Sequence, residues 1–259
     1  MVSLVEISKD IRRKTLECIS AFGSGHIGGS LSIVDVLTVL YFHEMKIDEN
    51  ESKKDDRDRL VVSKGHAGPA VYATLAQKGF IPVSELKTLN QIGTNLPSHC
   101  DMNKVNGVDM TTGSLGQGIS CALGMALAAK IRKTPEYIYV IIGDGESQEG
   151  QVWEAAMFAS HKKLDNLILF LDKNNLQLDG YTKDVADKKN ITSNIKLLER
   201  MMLGSQWSGK FSNEMGPHYA KALGSMLKKL RPLKQGAGLA GILGLGLLGH
   251  GAYKLAQDA

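Results

Sequence analysis

The run YIYVII at residues 137–142 is apolar and rich in β-branched side chains, and it stops abruptly at Gly143-Asp144-Gly145. A second run, LILFL at 167–171, ends at Asp172-Lys173-Asn174-Asn175, and the residues between carry a helical stretch at about 150–161. Two continuous apolar runs one helix apart read as neighbouring parallel strands buried on both faces, since a crossover helix returns the chain to the same end of a sheet. A third short strand at 60–63 runs into Gly65-His66 and a helix through Leu75, and a helix at about 117–131 leads into the 137–142 run. This alternation predicts an α/β fold, a three-layer, doubly wound, mostly parallel sheet with helices on both faces. Ligands of such sheets sit beyond the carboxyl ends of the strands, so the polar clusters after residues 63, 142 and 171 are expected to converge.

Ahead of the first strand, residues 4–21 place Ile7, Ile11, Leu16 and Ile19 near helical spacing. The glycine-rich stretch 23–29 predicts a flexible turn, and a second helix from about Ser32 would turn Val36, Leu37, Leu40 and Tyr41 inward. With 259 residues the chain is long enough to bury a sizeable core. Cys18, Cys100 and Cys121 form an odd set without a CxxC pair, which argues against a secreted disulfide framework or a zinc site. The N-terminus MVSLVEISKDIRRK interleaves charges with apolar residues and lacks the apolar core of a signal peptide, so a cytoplasmic location is expected.

The formal net charge of +4 is uneven. Residues 185–259 hold 11 Lys+Arg against 4 Asp+Glu, a net of +7, which leaves 20 against 23, or −3, for residues 1–184. The basic excess belongs to the tail, which has no interleaved aromatics or recognisable nucleic-acid module, and no nucleic-acid partner is expected.

Asp144 and Asn174 follow adjacent strands 30 residues apart, the distance of one crossover helix. Two hard oxygen ligands from neighbouring strand ends suit a divalent cation such as Mg2+, Ca2+ or Mn2+ whose remaining shell comes largely from a phosphate. Gly143 and Gly145 would let the backbone approach a diphosphate, and the N-terminus of the following helix favours its charge. Either tripeptide alone reads as a tight turn or a polar loop. Together, each at a strand end, they point to a metal and diphosphate site.

This pattern, GDG followed about 30 residues later by Asn, is the thiamine diphosphate signature. The chain resembles the N-terminal half of transketolase through "GSGHIGGSLS" at 23–32, "DRLVVSKGHAGPAVYATL" at 58–75, "MTTGSLGQGISCALGMALAAK" at 110–130, "GDGESQEGQVWEAAMFA" at 143–159 and "LDKNNLQLDGYT" at 171–182. The resemblance implies a thiamine diphosphate-binding fold over residues 1–184. It also implies a cation held by Asp144, Asn174 and the main-chain oxygen of Leu176, with His66 on the diphosphate and Gly143 and Gly145 beside it. Gly113 and Leu115 would contact the aminopyrimidine. His26 and His99 would face the reacting carbon, giving a catalytic histidine set with His66. Glu149 would reach a subunit interface near the cofactor, and as an acid at a helix N-terminus it is also favoured by the helix dipole. A lone histidine is more often a loop residue than a catalyst, and His43, His161, His218 and His250 keep that bland reading.

The resemblance further implies transfer of a two-carbon ketol unit from a ketose phosphate to an aldose phosphate. In the family the glutamate that activates the cofactor comes from a pyrimidine-binding domain of the partner subunit, and 259 residues leave no room for that domain. The chain therefore resembles the N-terminal subunit of a split transketolase, inactive without a separate C-terminal pyrimidine-binding subunit in a homo- or hetero-oligomer. The rival readings are an enzyme like 1-deoxyxylulose 5-phosphate synthase and a truncated, catalytically silent relative acting as an interaction module. From about Val185 the family pattern is lost: no "V.GHD"-like or "KGKG…H" stretch follows, so the C-terminal part of the domain is expected to be atypical or incomplete, with an exposed sheet edge or a need for its partner. Residues 185–259 read as a divergent, basic, glycine-rich tail. The 19 uncharged residues at 235–253 fit either a short membrane contact with a basic flank or a glycine-rich tail, and the low helix propensity of so many glycines favours the tail.

Overall fold

The computed structural model describes residues 2–182 except 53, 178 and 179; the tail 185–259 and its glycine-rich run lie outside the described residues. Among the described residues no helix is long and apolar enough to cross a membrane. Helix α1 (Leu4–Phe22) opens with Ser3 accepting the Glu6 N–H, and it ends at Gly23 in the left-handed region, where the cap N–H returns to Ile19 and Ser20. Ile11 and Ile19 are buried, Ile7 is half-buried and Leu16 is exposed. Two short helices follow, α2 (Ile27–Leu31) and α3 (Val34–Val39), and α3 runs into a π-turn at Leu40–Glu44. The helix expected from Ser32 thus begins five residues earlier and is broken at Ser32-Ile33, because Gly28 and Gly29 still accept helical geometry once His26 turns the chain. Leu37, Leu40 and Tyr41 are buried as their spacing predicts, whereas Val36 is half-buried.

Strand β1 (Arg59–Val62) leads through a 3-10 turn into α4 (Gly68–Lys78). After a long irregular stretch come α5 (Gln117–Arg132), β2 (Ile138–Gly143), α6 (Gly150–Lys162) and β3 (Leu167–Asp172). A small antiparallel pair that the sequence did not announce, β4 (Leu176–Gln177) and β5 (Gly180–Tyr181), follows β3.

The main sheet is parallel in the order β1-β2-β3, with Arg59 beside Ile138 and Ile138 beside Leu167; at the far end Gly143 lies beside Asp172. Alternate side chains divide between two cores, as strands buried on both faces require. Leu60, Val62, Tyr139, Ile141 and Ile168 pack with residues of α1, α3 and α4, such as Ile11, Leu37 and Leu75. Val61, Ile138, Val140, Ile142, Leu167 and Leu169 pack with Ile119 and Ala126 of α5 and Val152 and Ala159 of α6. The expected three layers are therefore present. Asp109, paired with Arg57, accepts the Leu60 N–H at 2.8 Å and anchors the entry to β1. At the opposite end a Cβ on Gly65 would stand 2.7 Å from the Gly113 nitrogen, so only glycine lets the loop after β1 touch the loop before α5.

Ile141, 1% exposed on the central strand, should lose about 2–5 kcal/mol of unfolding free energy on replacement by alanine. Ile131→Ala, at a side chain 71% exposed, should change it by less than about 0.5 kcal/mol. Urea unfolding of the two variants checks the contrast.

Candidate active site

The carboxyl ends of β1, β2 and β3 converge, and those of β2 and β3 carry the acid and amide cluster. Asp144 follows β2, is 3% exposed, and donates its backbone N–H to the Asp172 carbonyl at 3.1 Å, which prolongs the ladder by one bond. Its Oδ2 accepts the Asn175 N–H at 2.8 Å, and Asn174 Oδ1 accepts the Leu176 N–H at 2.9 Å. Asn175 has a φ of 61°, a left-handed turn that asparagine tolerates, and its carbonyl takes the Thr182 N–H. Asp144, Asn174 and Leu176 are thus brought to one turn. Among the described residues no three or more His, Cys, Asp and Glu gather as a metal cluster, whereas a carboxylate, an amide oxygen and a main-chain oxygen form a hard donor set. The surroundings fit a bound diphosphate as well: a Cβ on Gly143 would meet nothing nearer than the Glu146 Cβ at 4.0 Å, so that side of the turn has space. Gly145 is crowded instead, since a Cβ there would stand 3.1 Å from the Cβ of Gln177 in β4.

Three histidines from three loops also meet, one of them in the turn that follows the carboxyl end of β1. His26 precedes α2, His66 lies in the 3-10 turn after β1, and His99 lies in the irregular stretch before α5. Ring centroids of His26 and His66 are 5.3 Å apart, and those of His26 and His99 are 6.4 Å apart. His26 and His99 are exposed and His66 is half-buried. Gly29 leaves room for His66, whose Cδ2 would lie 2.8 Å from an added Cβ, and Gly113 backs onto His99 at 3.4 Å by the same measure. His43 pairs with its neighbour Glu44 and His161 sits in the last turn of α6, while His218 and His250 lie outside the described residues.

Beneath the histidines is a buried charge pair that sequence reasoning missed. Lys64 Nζ lies 2.5 Å from Asp172 Oδ2, and Ser32 Oγ donates to the same oxygen at 2.6 Å. Lys64 is 2% and Asp172 7% exposed. Burial pushes the His66 imidazole pKa down to about 4, helped by the Lys64 ammonium and by His26 and His99, so His66 is neutral at pH 7. The cysteines stand apart from the chemistry: all three are free, and burial pushes the Cys18 and Cys100 thiols up to about 12.

Leu115, 40% exposed, and Gly113 line the approach to α5. Glu149 is exposed at the start of α6 and makes no side-chain capping bond there; an added Cβ on Gly116 would meet its Cβ at 3.0 Å, which places it next to the Leu115 loop. Glu146 is a further residue not singled out by its sequence. It is buried, and its carboxylate accepts the Gly116 N–H at 2.8 Å and the Gly143 N–H at 3.0 Å. Its only sequence signal is an acid beside the glycines of the GDG turn.

Comparison with known proteins agrees with this architecture. The chain is 61% identical over 175 residues to a 6-deoxy-6-sulfo-D-fructose transketolase subunit of Clostridium sp. (strain MSTE9), a match covering 68% of this chain and 64% of that protein. It is 44% identical over 191 residues to an apulose-4-phosphate transketolase subunit of Phocaeicola vulgatus, covering 73% of this chain and 68% of that one. The crystal structure of a transketolase variant from Pichia stipitis superposes with a TM-score of 0.71 at 33% identity, over 76% of this chain and 31% of that chain. The chain thus spans slightly less than two thirds of its sulfofructose relative and about a third of the full-length transketolase. Residues 5–194 match the family described as transketolase, thiamine diphosphate binding domain, and the chain belongs to that family.

Proposed function

We propose that this chain is the N-terminal subunit of a two-chain transketolase, which binds the diphosphate half of thiamine diphosphate and awaits a pyrimidine-binding partner subunit. The observation that carries the reading is the gathering of Asp144, Asn174 and Leu176 at one turn and of His26, His66 and His99 from three loops, the two linked where Lys64, next but one to His66, pairs with Asp172 beside Asp144. In this reading residues 1–184 form the cofactor-binding unit and 185–259 a divergent tail, in a cytoplasmic protein.

Asp144, Asn174 and the Leu176 carbonyl would hold Mg2+ or a similar cation against the diphosphate, and Gly143 gives that anion room. His66, kept neutral, can present one N–H donor to a phosphate oxygen without changing its charge across the physiological range. The exposed rings of His26 and His99 face the same space and can accept or return protons of a sugar hydroxyl. Leu115 offers an apolar surface to a flat ring, and Glu149 beside it is placed to meet a partner chain. The chemistry supplied by bound thiamine diphosphate is cleavage and formation of a carbon–carbon bond next to a ketose carbonyl. The likeness to proteins named for a sulfofructose and for apulose 4-phosphate supports a ketose donor with an anionic terminus, phosphate or sulfonate.

Three outcomes test this. The purified chain should transfer no ketol unit by itself and should gain the activity with its partner subunit, using fructose 6-phosphate, xylulose 5-phosphate or 6-deoxy-6-sulfofructose as donor; a rate without the partner, or a reaction with pyruvate instead, would overturn the reading. Thiamine diphosphate with Mg2+ at about 100 times its Kd should add about 2.7 kcal/mol of stability to the wild-type chain and little to Asp144→Ala, read from the shift of the thermal midpoint. Because the folded-state pKa of His66 lies near 4 and that of an unfolded histidine near 6.5, the unfolded chain binds the extra proton between those values. Stability should therefore fall as pH drops from about 6.5 towards 4, and this part of the fall should be missing in His66→Asn when urea unfolding is compared at pH 7.5 and 5.

A further inference from the structure

Glu146 lies in the 3-10 turn Glu146–Gln148 directly after Gly145 and is 2% exposed. Among the described residues no lysine, arginine or histidine forms an ion pair with it. A carboxylate buried without a cation is costly unless hydrogen bonds satisfy its charge. Here three donors do so. Oε1 accepts the Ser63 hydroxyl and the Gly116 N–H at 2.8 Å, and Oε2 accepts the Gly143 N–H at 3.0 Å. Bonds of this charge-assisted kind are about twice as strong as neutral ones, and two of the three donors are rigid backbone groups.

The donors come from two loops and the end of β2, and each stands close in sequence to a residue that the proposed function needs. Ser63 follows β1, three residues before His66; Gly116 follows Leu115 and, at a φ of 83°, turns the chain into α5; Gly143 precedes Asp144. The Ser63 and Gly116 partners lie 83 and 30 residues away in sequence, so these bonds add side-chain ties between distant segments to the β1–β2 ladder and the contact of Gly65 with Gly113. A ligand touching the His66 loop, the 113–115 loop and Asp144 at once requires fixed distances among them, and misplacement of about 1 Å can cost a hundredfold in rate. A core that needed only filling would be served by an apolar side chain, which would strand three donors here.

We infer that Glu146 is a positioning residue, a buried carboxylate clasp that sets the histidine loop, the 113–116 loop and the GDG turn at the mutual spacing a thiamine diphosphate molecule spans. The inference rests on the proposed function only for the identity of that ligand. Glutamine at this position keeps the shape but turns an amide N–H2 toward a backbone or hydroxyl donor, so it breaks the clasp without opening a cavity.

The test uses the full chain as wild type, Glu146→Gln, Ser63→Ala and a distant core control, Leu75→Ala. Hydrogen–deuterium exchange without ligand should be faster by about tenfold or more in Glu146→Gln at 63–66, 113–117 and 143–149 together, a pattern the control does not show. Faster exchange confined to 143–149 would overturn the clasp. Titration with thiamine diphosphate and Mg2+ should then show about tenfold or more weaker binding in Glu146→Gln but not in Leu75→Ala; equal affinity in the two would reduce Glu146 to a fold-stabilising group and overturn its positioning role. Should Glu146→Gln not fold, Ser63→Ala decides, since it keeps the carboxylate: exchange must rise at 113–117 and 143–149 as well as at 63–66, and a rise at 63–66 alone refutes the inference. A wild-type chain that does not bind thiamine diphosphate would overturn the cofactor reading instead, with the exchange pattern still deciding whether the clasp exists.

Discussion

The parallel pairing of β2 with β3 in a register that sets Gly143 beside Asp172 is the constraint on which the remainder depends. Because both strands run the same way, both chains leave the sheet at one edge, and the Asp144 N–H to Asp172 carbonyl bond holds them together one step further. β1 pairs with β2 in the same sense, so Ser63, Lys64 and His66 emerge at that edge too. An antiparallel partner would send one of these polar segments to the opposite end. The two buried faces make the register hard to shift, since a slip of one residue would exchange every side chain between the two cores.

Several charged groups at that edge are buried, and the partners of Lys64, Asp172 and Glu146 come from other elements. Asp58, at the opposite end of the sheet, shows the simple version of this arrangement: its carboxylate accepts the Lys46 and Tyr137 N–H groups, and burial still raises its pKa. At the functional edge the same physics acts on Lys64 with Asp172 and on Glu146 with its three donors. Removing one partner from such a pair leaves the other desolvated and alone, at a cost of about 3–5 kcal/mol for a buried ion pair. These groups therefore fix geometry more than they add net stability, and the geometry they fix is that of the histidine and GDG loops.

The sheet was legible in the sequence because its strands are continuous apolar runs bounded by glycine and acids, a pattern that needs no knowledge of tertiary contacts. Helices α5 and α6 were legible to within a residue for the same reason, as was α1. The break between α2 and α3 was not, because glycines at 28 and 29 signal a turn while the observed helix includes both and uses Gly29 to let His66 pass. At the site, Asp144 and Asn174 declared themselves through strand ends and spacing. Glu146 and Lys64 did not: an acid after GDG looks like any helix-opening acid, and a lysine before GH looks like any surface charge. Only the fold reveals that their partners come from 83 and 108 residues away.

One asymmetry of the site bears on why a chain of this kind would act with a partner. Of the groups proposed to hold the diphosphate, Asp144 is 3% exposed and His66 and Asn174 are half-buried, with only Leu176 exposed, while Leu115, His26, His99 and Glu149, proposed to meet the reacting end, are all exposed. In the proposed reading, binding through the sheltered half needs only charge and hydrogen bonds. Carbanion chemistry needs in addition a site from which water is excluded, so that fixed dipoles act at low dielectric and reactive species are not quenched by stray protons. A surface that is polar, apolar and acidic in turn, and exposed at the place where the cofactor would react, meets the first requirement and leaves the second to whatever covers it. In the proposed reading cofactor binding and turnover are therefore separable properties, the first resting on the described residues and the second on a further surface.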